Sequence, residues 1–179
     1  MFSRKPKIVE KLAPFSGEVS ILMADITKVD ALAAQLSPED LVLFLKDHLQ
    51  IQISIISEHE GIVIQYVASY INALWRDSDH AKKAVDTARA MLSAADDRIN
   101  YSIAVATEAA VGAFFGPIKQ YQVLGRAMEQ ADQLLRFPTR PKRSLLVTEK
   151  TLTLSAISAG ACTRIGLLKE QGDVLSINL

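Results

Sequence analysis

Glu18-Val19-Ser20-Ile21-Leu22-Met23-Ala24-Asp25 is a short apolar run that stops on a carboxylate. Too short for a typical helix and bounded by charge, it predicts a buried strand over residues 18–24. Ligand groups gather where such a strand leaves its sheet, because polar main-chain atoms become accessible there. Asp25, followed by the turn Ile26-Thr27-Lys28, is therefore the first candidate site residue. A carboxylate beside a main-chain carbonyl suits a hard cation such as Mg²⁺. The competing role for Asp25 is a cap for residues 27–30.

Downstream, Ser37-Pro38-Glu39-Asp40 reads as a helix start: a capping hydroxyl, a proline in the first turn, and two acids at the positive end of the dipole. The apolar stripe from Leu41 through Ile56 predicts one long helix ended by Gly61, including Ile51–Ile55 despite its strand-like alternation. Strands are predicted at Ile62–Val67 and Tyr70–Trp75, with Ala68-Ser69 as the hairpin tip. A helix follows over Asp79–Ala94, then strands at Ile99–Ala106, Ala109–Phe115 and Tyr121–Leu124, and a helix over Ala127–Leu135. Two prolines make Phe137–Arg143 a loop. Leu145–Val147 reads as a strand, and Arg164–Leu168 with Asp173–Asn178 as a hairpin turning at Gln171-Gly172. The order is a βαββαβ core with an appended helix and strands, an α+β arrangement of the ferredoxin-like type, expected as one sheet with helices on one face.

The 179 residues fit one domain, with residues 1–17 as an N-terminal arm and 18–179 as the folded unit. The basic start of the arm reads as a solvated tail, with a membrane-surface contact as the alternative. Apolar residues at 49% supply a core and exclude disorder. Twenty basic and twenty acidic residues leave a formal charge of zero, which argues against nucleic acid as a partner. The lone Cys162 forbids an intrachain disulfide and reads as a small packed residue in a reducing, cytoplasmic setting. No run is long enough to span a bilayer.

The chain contains no glycine-rich phosphate loop, nucleophile elbow or Cys/His metal spacing. His48, His59 and His80 read as surface or boundary residues. Five segments, in order, resemble the catalytic domain of class III adenylate/guanylate cyclases. They are Met23-Ala24-Asp25-Ile26 with Leu36-Ser37-Pro38-Glu39-Asp40; His59-Glu60-Gly61-Ile62-Val63 leading to Ala73-Leu74-Trp75; Asp79–Val85; Thr107–Gly112; and Tyr121-Gln122-Val123-Leu124-Gly125. The resemblance spans roughly residues 18–179 and implies a ferredoxin-like core working as a head-to-tail dimer with active sites at the interface.

The resemblance also places the family's functional positions. Its first metal aspartate falls on Asp25 and its carbonyl ligand on Ile26, both retained. The second metal aspartate falls on Ser69, and the glycine before it on Ala68. The purine-selecting pair falls on Gln65 and Gln120. The transition-state asparagine and arginine fall on Glu129 and Gln133. A hydroxyl is a poor replacement for a carboxylate toward Mg²⁺, and Glu129 brings negative charge toward a polyphosphate whose transfer needs positive charge. Each lost donor costs on the order of 10²–10³ in rate. Arg126 is a candidate compensating phosphate contact, with Arg136 further along the same segment. An i,i+3 ion pair between Arg126 and Glu129 is the simpler expectation. Arg140, Lys142 and Arg143 read as a solvated basic loop, with an anion contact as the alternative. Tyr70 and Ala113-Phe114-Phe115 place bulk where a nucleotide cleft would open, either filling it or padding a dimer surface.

The sequence thus implies a catalytically inactive cyclase-like domain acting as a regulatory or dimerisation module in cyclic-nucleotide-type signalling. It would form a homodimer or pair with another cyclase-like subunit. The alternatives are a divergent active cyclase for ATP or GTP, and a nucleotide sensor without turnover. Mg²⁺ or Mn²⁺ is expected only if a nucleotide binds.

Overall fold

The computed structural model describes residues 12–138, 143–168 and 172–177. In chain order the elements are β1 (Phe15–Thr27), α1 (Val29–Ala33), α2 (Pro38–Glu58), β2 (Ile62–Val67), β3 (Tyr70–Trp75), α3 (His80–Ala94), β4 (Asn100–Phe115), β5 (Gln120–Leu124), α4 (Arg126–Leu135), β6 (Arg143–Thr148), α5 (Glu149–Ser155), β7 (Cys162–Leu168) and β8 (Gly172–Ile177). The strands form one sheet in the order β2-β3-β1-β4-β6-β8-β7, with β5 paired to β4. The expected βαββαβ core is present, its strands β2, β3, β1 and β4 joined by antiparallel ladders. Ser37 caps α2 as its sequence predicts, accepting the Asp40 N–H at 3.1 Å, and Ile51–Ile55 is helical.

Several expectations change. Strand β1 runs from Phe15 to Thr27, beyond both ends of the predicted 18–24. Asp25 therefore sits inside the ladder, opposite Tyr70 on one side and Ser102 on the other, not where the strand departs. The two strands predicted over 99–115 are one, because β4 stays in register with β1 from Asn100 to Gly112. The polar step between them is accommodated: Thr107, fully buried, is hydrogen-bonded to Ser20 Oγ at 2.7 Å and accepts the Thr151 hydroxyl at 3.1 Å.

The helices cover both faces of the sheet, not one. Leu22, Ala24 and Ile26 of β1 share a core with α2 and α3, while Val19, Ile21 and Met23 share a second core with α4. A strand apolar at every position has two faces to bury. The short helices α1 and α5 were not anticipated; α5 starts on Thr148, whose hydroxyl accepts the Thr151 N–H at 3.3 Å.

The tail hairpin forms, with Leu168 opposite Gly172; Gln171 and Asn178 lie outside the described residues, as do Arg140 and Lys142 of the predicted basic loop. Arg143 opens β6 and is ion-paired to Asp97 at 2.9 Å, so it is not part of a solvated loop. His48 is buried at 8% exposure rather than lying at the surface. Cys162 is partly buried, and burial pushes its thiol up, consistent with a packing role. Among the described residues no helix is long and apolar enough to cross a membrane.

Candidate functional site around Asp25

Strand alternation puts Asp25 on the same face as Val19, Ile21 and Met23, the face covered by α4. The side chain of Ile26 points the other way and is buried, while its N–H donates to the Ser69 carbonyl at 3.2 Å. That bond holds the β2–β3 hairpin tip against the end of β1. The tip turns through Ala68 in the left-handed region (φ 51°), a conformation that favours glycine. It delivers Ser69 to Asp25: the Ser69 hydroxyl donates to Asp25 Oδ1 at 2.7 Å. The two positions expected to share a metal are thus in contact, but as a hydroxyl satisfying a carboxylate. Among the described residues no group of three or more His, Cys, Asp or Glu side chains is placed to hold a metal ion.

Tyr70, half-buried beside them, has its phenol pushed up by burial, with Asp132 and Asp25 adding to the shift and an Asn72 hydrogen bond and Arg136 opposing it. Arg136 follows the last turn of α4 and binds Asp132 through Nε at 2.9 Å to each carboxylate oxygen. Its guanidinium also feels Tyr70 and Asp25. The fold therefore sets two bonded pairs, Ser69–Asp25 and Arg136–Asp132, within electrostatic reach of Tyr70, a loose polar group and not one hydrogen-bonded cluster. Asp132 carries no signal in the sequence, because α4 reaches β1 only through the tertiary fold.

The other expected residues are not part of that group. Glu129 and Gln133 are exposed on the outer side of α4, whose inner side buries Ala127, Ala131 and Leu134. Gln65 is exposed on β2, an edge strand of the sheet, at a register irregularity opposite Asn72. Gln120 is exposed at the start of β5. Arg126 is exposed in the first turn of α4. Among the described residues none of these five side chains makes a hydrogen bond or ion pair, so the expected Arg126–Glu129 bridge is absent: both side chains extend into solvent, where such a pair has little to gain. Gly125, which starts α4, is required: at φ 130° an added Cβ would stand 2.8 Å from the Ala109 carbonyl.

Of the bulky groups, Tyr70 packs partly into the α4-side core. Phe114 and Phe115 remain 45% and 42% exposed. Phe114 meets Tyr121 edge-on at 5.1 Å, and the Tyr121 hydroxyl donates to the Ala13 carbonyl at 2.9 Å. These aromatics form an apolar outer surface on the β4–β5 hairpin.

No protein-family model matches the sequence, and no curated protein does. Solved structures do. The adenylyl cyclase CyaB from P. aeruginosa superimposes with a TM-score of 0.78 at 16% identity, covering 93% of this chain and 96% of that one. The catalytic core of a rhodopsin-guanylyl cyclase with converted specificity, in complex with ATPαS, gives 0.78 at 13% identity, over 95% and 99%. A non-canonical dimeric guanylyl cyclase domain of the RhoGC fusion protein from the aquatic fungus Blastocladiella emersonii gives 0.77 at 12% identity, over 93% and 98%. The chain has the fold of the class III adenylyl/guanylyl cyclase catalytic domain. It matches these neighbours over nearly their whole length while sharing fewer than one residue in five.

Proposed function

We propose that this chain is a cyclase-fold domain that does not cyclise nucleotides and serves as a regulatory dimerisation module in cyclic-nucleotide-type signalling. The observation that carries this reading is the Ser69–Asp25 hydrogen bond at the position where two carboxylates would clamp metal. Two-metal chemistry needs the ions to activate the attacking hydroxyl and neutralise the leaving phosphates. Asp25 and the Ile26 carbonyl supply at most a weak Mg²⁺ or Mn²⁺ site, and among the described residues Asp25 belongs to no group of three or more His, Cys, Asp or Glu side chains that could complete it. Exposed Glu129 and Gln133 bring no positive charge to a triphosphate. A lone thiol fits a cytoplasmic setting for this role.

The direct test is incubation of the purified chain with ATP or GTP and Mg²⁺ or Mn²⁺. No cyclic nucleotide is expected; product that disappears in Asp25→Asn would overturn the proposal in favour of a divergent cyclase. A calorimetric titration with the same nucleotides is expected to be flat. Heat that saturates without turnover would instead support a nucleotide sensor.

The dismantled site makes its own prediction. Ser69→Asp replaces a donor by a second carboxylate against Asp25, and two facing carboxylates repel. The variant should lose about 1–3 kcal/mol in EDTA. Mn²⁺ should restore stability, by about 2.7 kcal/mol at a hundred times its Kd. Melting curves with and without the ion read both effects. A variant indifferent to Mn²⁺ would show that the missing carboxylate is not what disables metal binding.

Dimerisation rests on the β4–β5 hairpin surface, where Val111, Phe114, Phe115 and Ile118 are exposed, Ile118 at 82%. Apolar groups concentrated on one hairpin favour burial against a second surface. Sedimentation should show self-association that weakens at least tenfold in the double variant Phe115→Asp, Ile118→Asp. A wild-type chain that stays monomeric at high concentration would leave pairing with another cyclase-like subunit as the surviving form of the proposal.

A further inference from the structure

On the α2–α3 side of the molecule, away from α4, lies a cavity of about 320 Å³ that the proposed role does not use. Small-molecule pockets run from about 300 to 1,000 Å³, so it is large enough for one or two rings. Phe44, Asp47, His48 and Ile51 line it from α2, and Asp96 and Arg98 from the segment leading into β4.

His48 is more than nine-tenths buried, yet its Nε2 has no hydrogen-bond partner. One turn on, both amide atoms of buried Gln52 are unpartnered, as is the hydroxyl of buried Tyr101, whose ring meets His48 edge-on at 4.9 Å. Gln52 and Tyr101 are fully buried and stand outside the lining; buried polar side chains are almost always paired, so the unpartnered imidazole in the cavity wall is what marks a place where something polar belongs.

The other walls define what that is. The Phe44 and His48 rings are nearly parallel, 11° apart, with centroids 6.4 Å from each other. The Arg98 guanidinium lies over the Phe44 ring at 5.0 Å, held there by two hydrogen bonds to Asp96 at 2.9 and 2.7 Å. The wall thus already carries a flat cation on an aromatic face. Asp96 neutralises Arg98, whereas Asp47 makes no ion pair among the described residues, which leaves the cavity one unit negative. An anion would face that excess charge, and an aliphatic cation would forgo the ring faces.

We propose that this cavity is a binding site for a small, flat, cationic nitrogen compound, its ring against the Phe44–His48 pair, an N–H directed to His48 and its charge opposite Asp47. The site is independent of Asp25 and of the proposed lack of cyclisation.

Benzamidine and benzoate, matched in shape and opposite in charge, test it against the whole 179-residue chain by NMR titration. Benzamidine should bind saturably, with shifts concentrated at residues 44, 47, 48, 51 and 98, and benzoate at least tenfold more weakly. Ile51→Trp fills the mouth of the cavity from a position already 45% exposed, so it leaves the core intact; it should weaken benzamidine at least tenfold. His48→Phe keeps a ring, removes the nitrogen, and should weaken binding by a similar factor. Non-saturating shifts, shifts scattered over the surface, unchanged affinity in Ile51→Trp, or benzoate binding as tightly as benzamidine would each overturn the proposal.

Discussion

Truncating Trp75 to alanine is expected to lower the unfolding free energy by about 4 kcal/mol, within the range for large aromatic deletions in a core. The indole is 1% exposed at the end of β3. Its Nε1–H donates to the His59 carbonyl at 2.8 Å, tying the β2–β3 hairpin to the C-terminal end of α2. Deletion opens a void and leaves that carbonyl without its donor. The same ring explains Gly61, where a Cβ would stand 2.4 Å from Trp75 Cζ2 and 2.6 Å from Ile56 Cγ2. Gly61→Ala should therefore also destabilise, by less, since the ring can shift. Urea denaturation of both variants checks the order. A loss under about 2 kcal/mol for Trp75→Ala would mean that α2 and the hairpin are held together by something other than the indole.

Gly61 also shows where the sequence could be read and where it could not. The residue was legible as the end of α2, but the reason differs from the usual one. The left-handed turn residue is Glu60 (φ 61°), and Gly61 is needed for room. Short apolar runs located β1, β2 and β3, and the 3.6-residue stripe located α2 and α3, because each of these signals is carried within its own segment. They could not show that Thr107-Glu108 stays within β4, since that depends on Ser20 and Thr151 arriving from distant elements to satisfy Thr107. Nor could they assign α4 to the opposite face, because an amphipathic stripe does not say which side of a sheet it covers. The same limit applies at the site. Asp25 and Ser69 were placed by resemblance and are in contact. Asp132 joined them only through packing, and burial of His48 was missed because a histidine on an amphipathic helix carries no mark of the ring it meets. Neither sequence nor fold transfers activity: the neighbours supply the architecture, and Ser69, Glu129 and Gln133 supply the argument against turnover.

Acidification from pH 7 to pH 5 is expected to remove about 2 kcal/mol of stability through His48 alone. Burial lowers its imidazole to about 4, against a smaller opposing pull from Asp96. The unfolded chain takes up this proton near the ordinary value of about 6.5, while the folded chain resists it until about pH 4. Stability is therefore complete above pH 6.5, falls as the pH drops through that value, and levels off below about 4. Other groups facing the ring leave this window clear. Arg98 stays charged throughout, burial pushes the Tyr101 hydroxyl upward, and hydrogen bonds from Arg98 hold Asp96 down near 2, so its own contribution is lost only below about pH 4. Asp47 lies on the exposed rim. Urea midpoints at pH 7 and pH 5 measure the loss, and His48→Phe, which keeps the ring stacked near Phe44 and against Tyr101, isolates it. The variant should be nearly flat over this interval and, having removed an unpartnered nitrogen, no less stable at pH 7. An equal slope in both proteins would place the titration elsewhere. A wild-type chain insensitive to pH would mean that His48 takes up its proton in the fold, which a solvent path through the adjacent cavity would permit and a dry core would not.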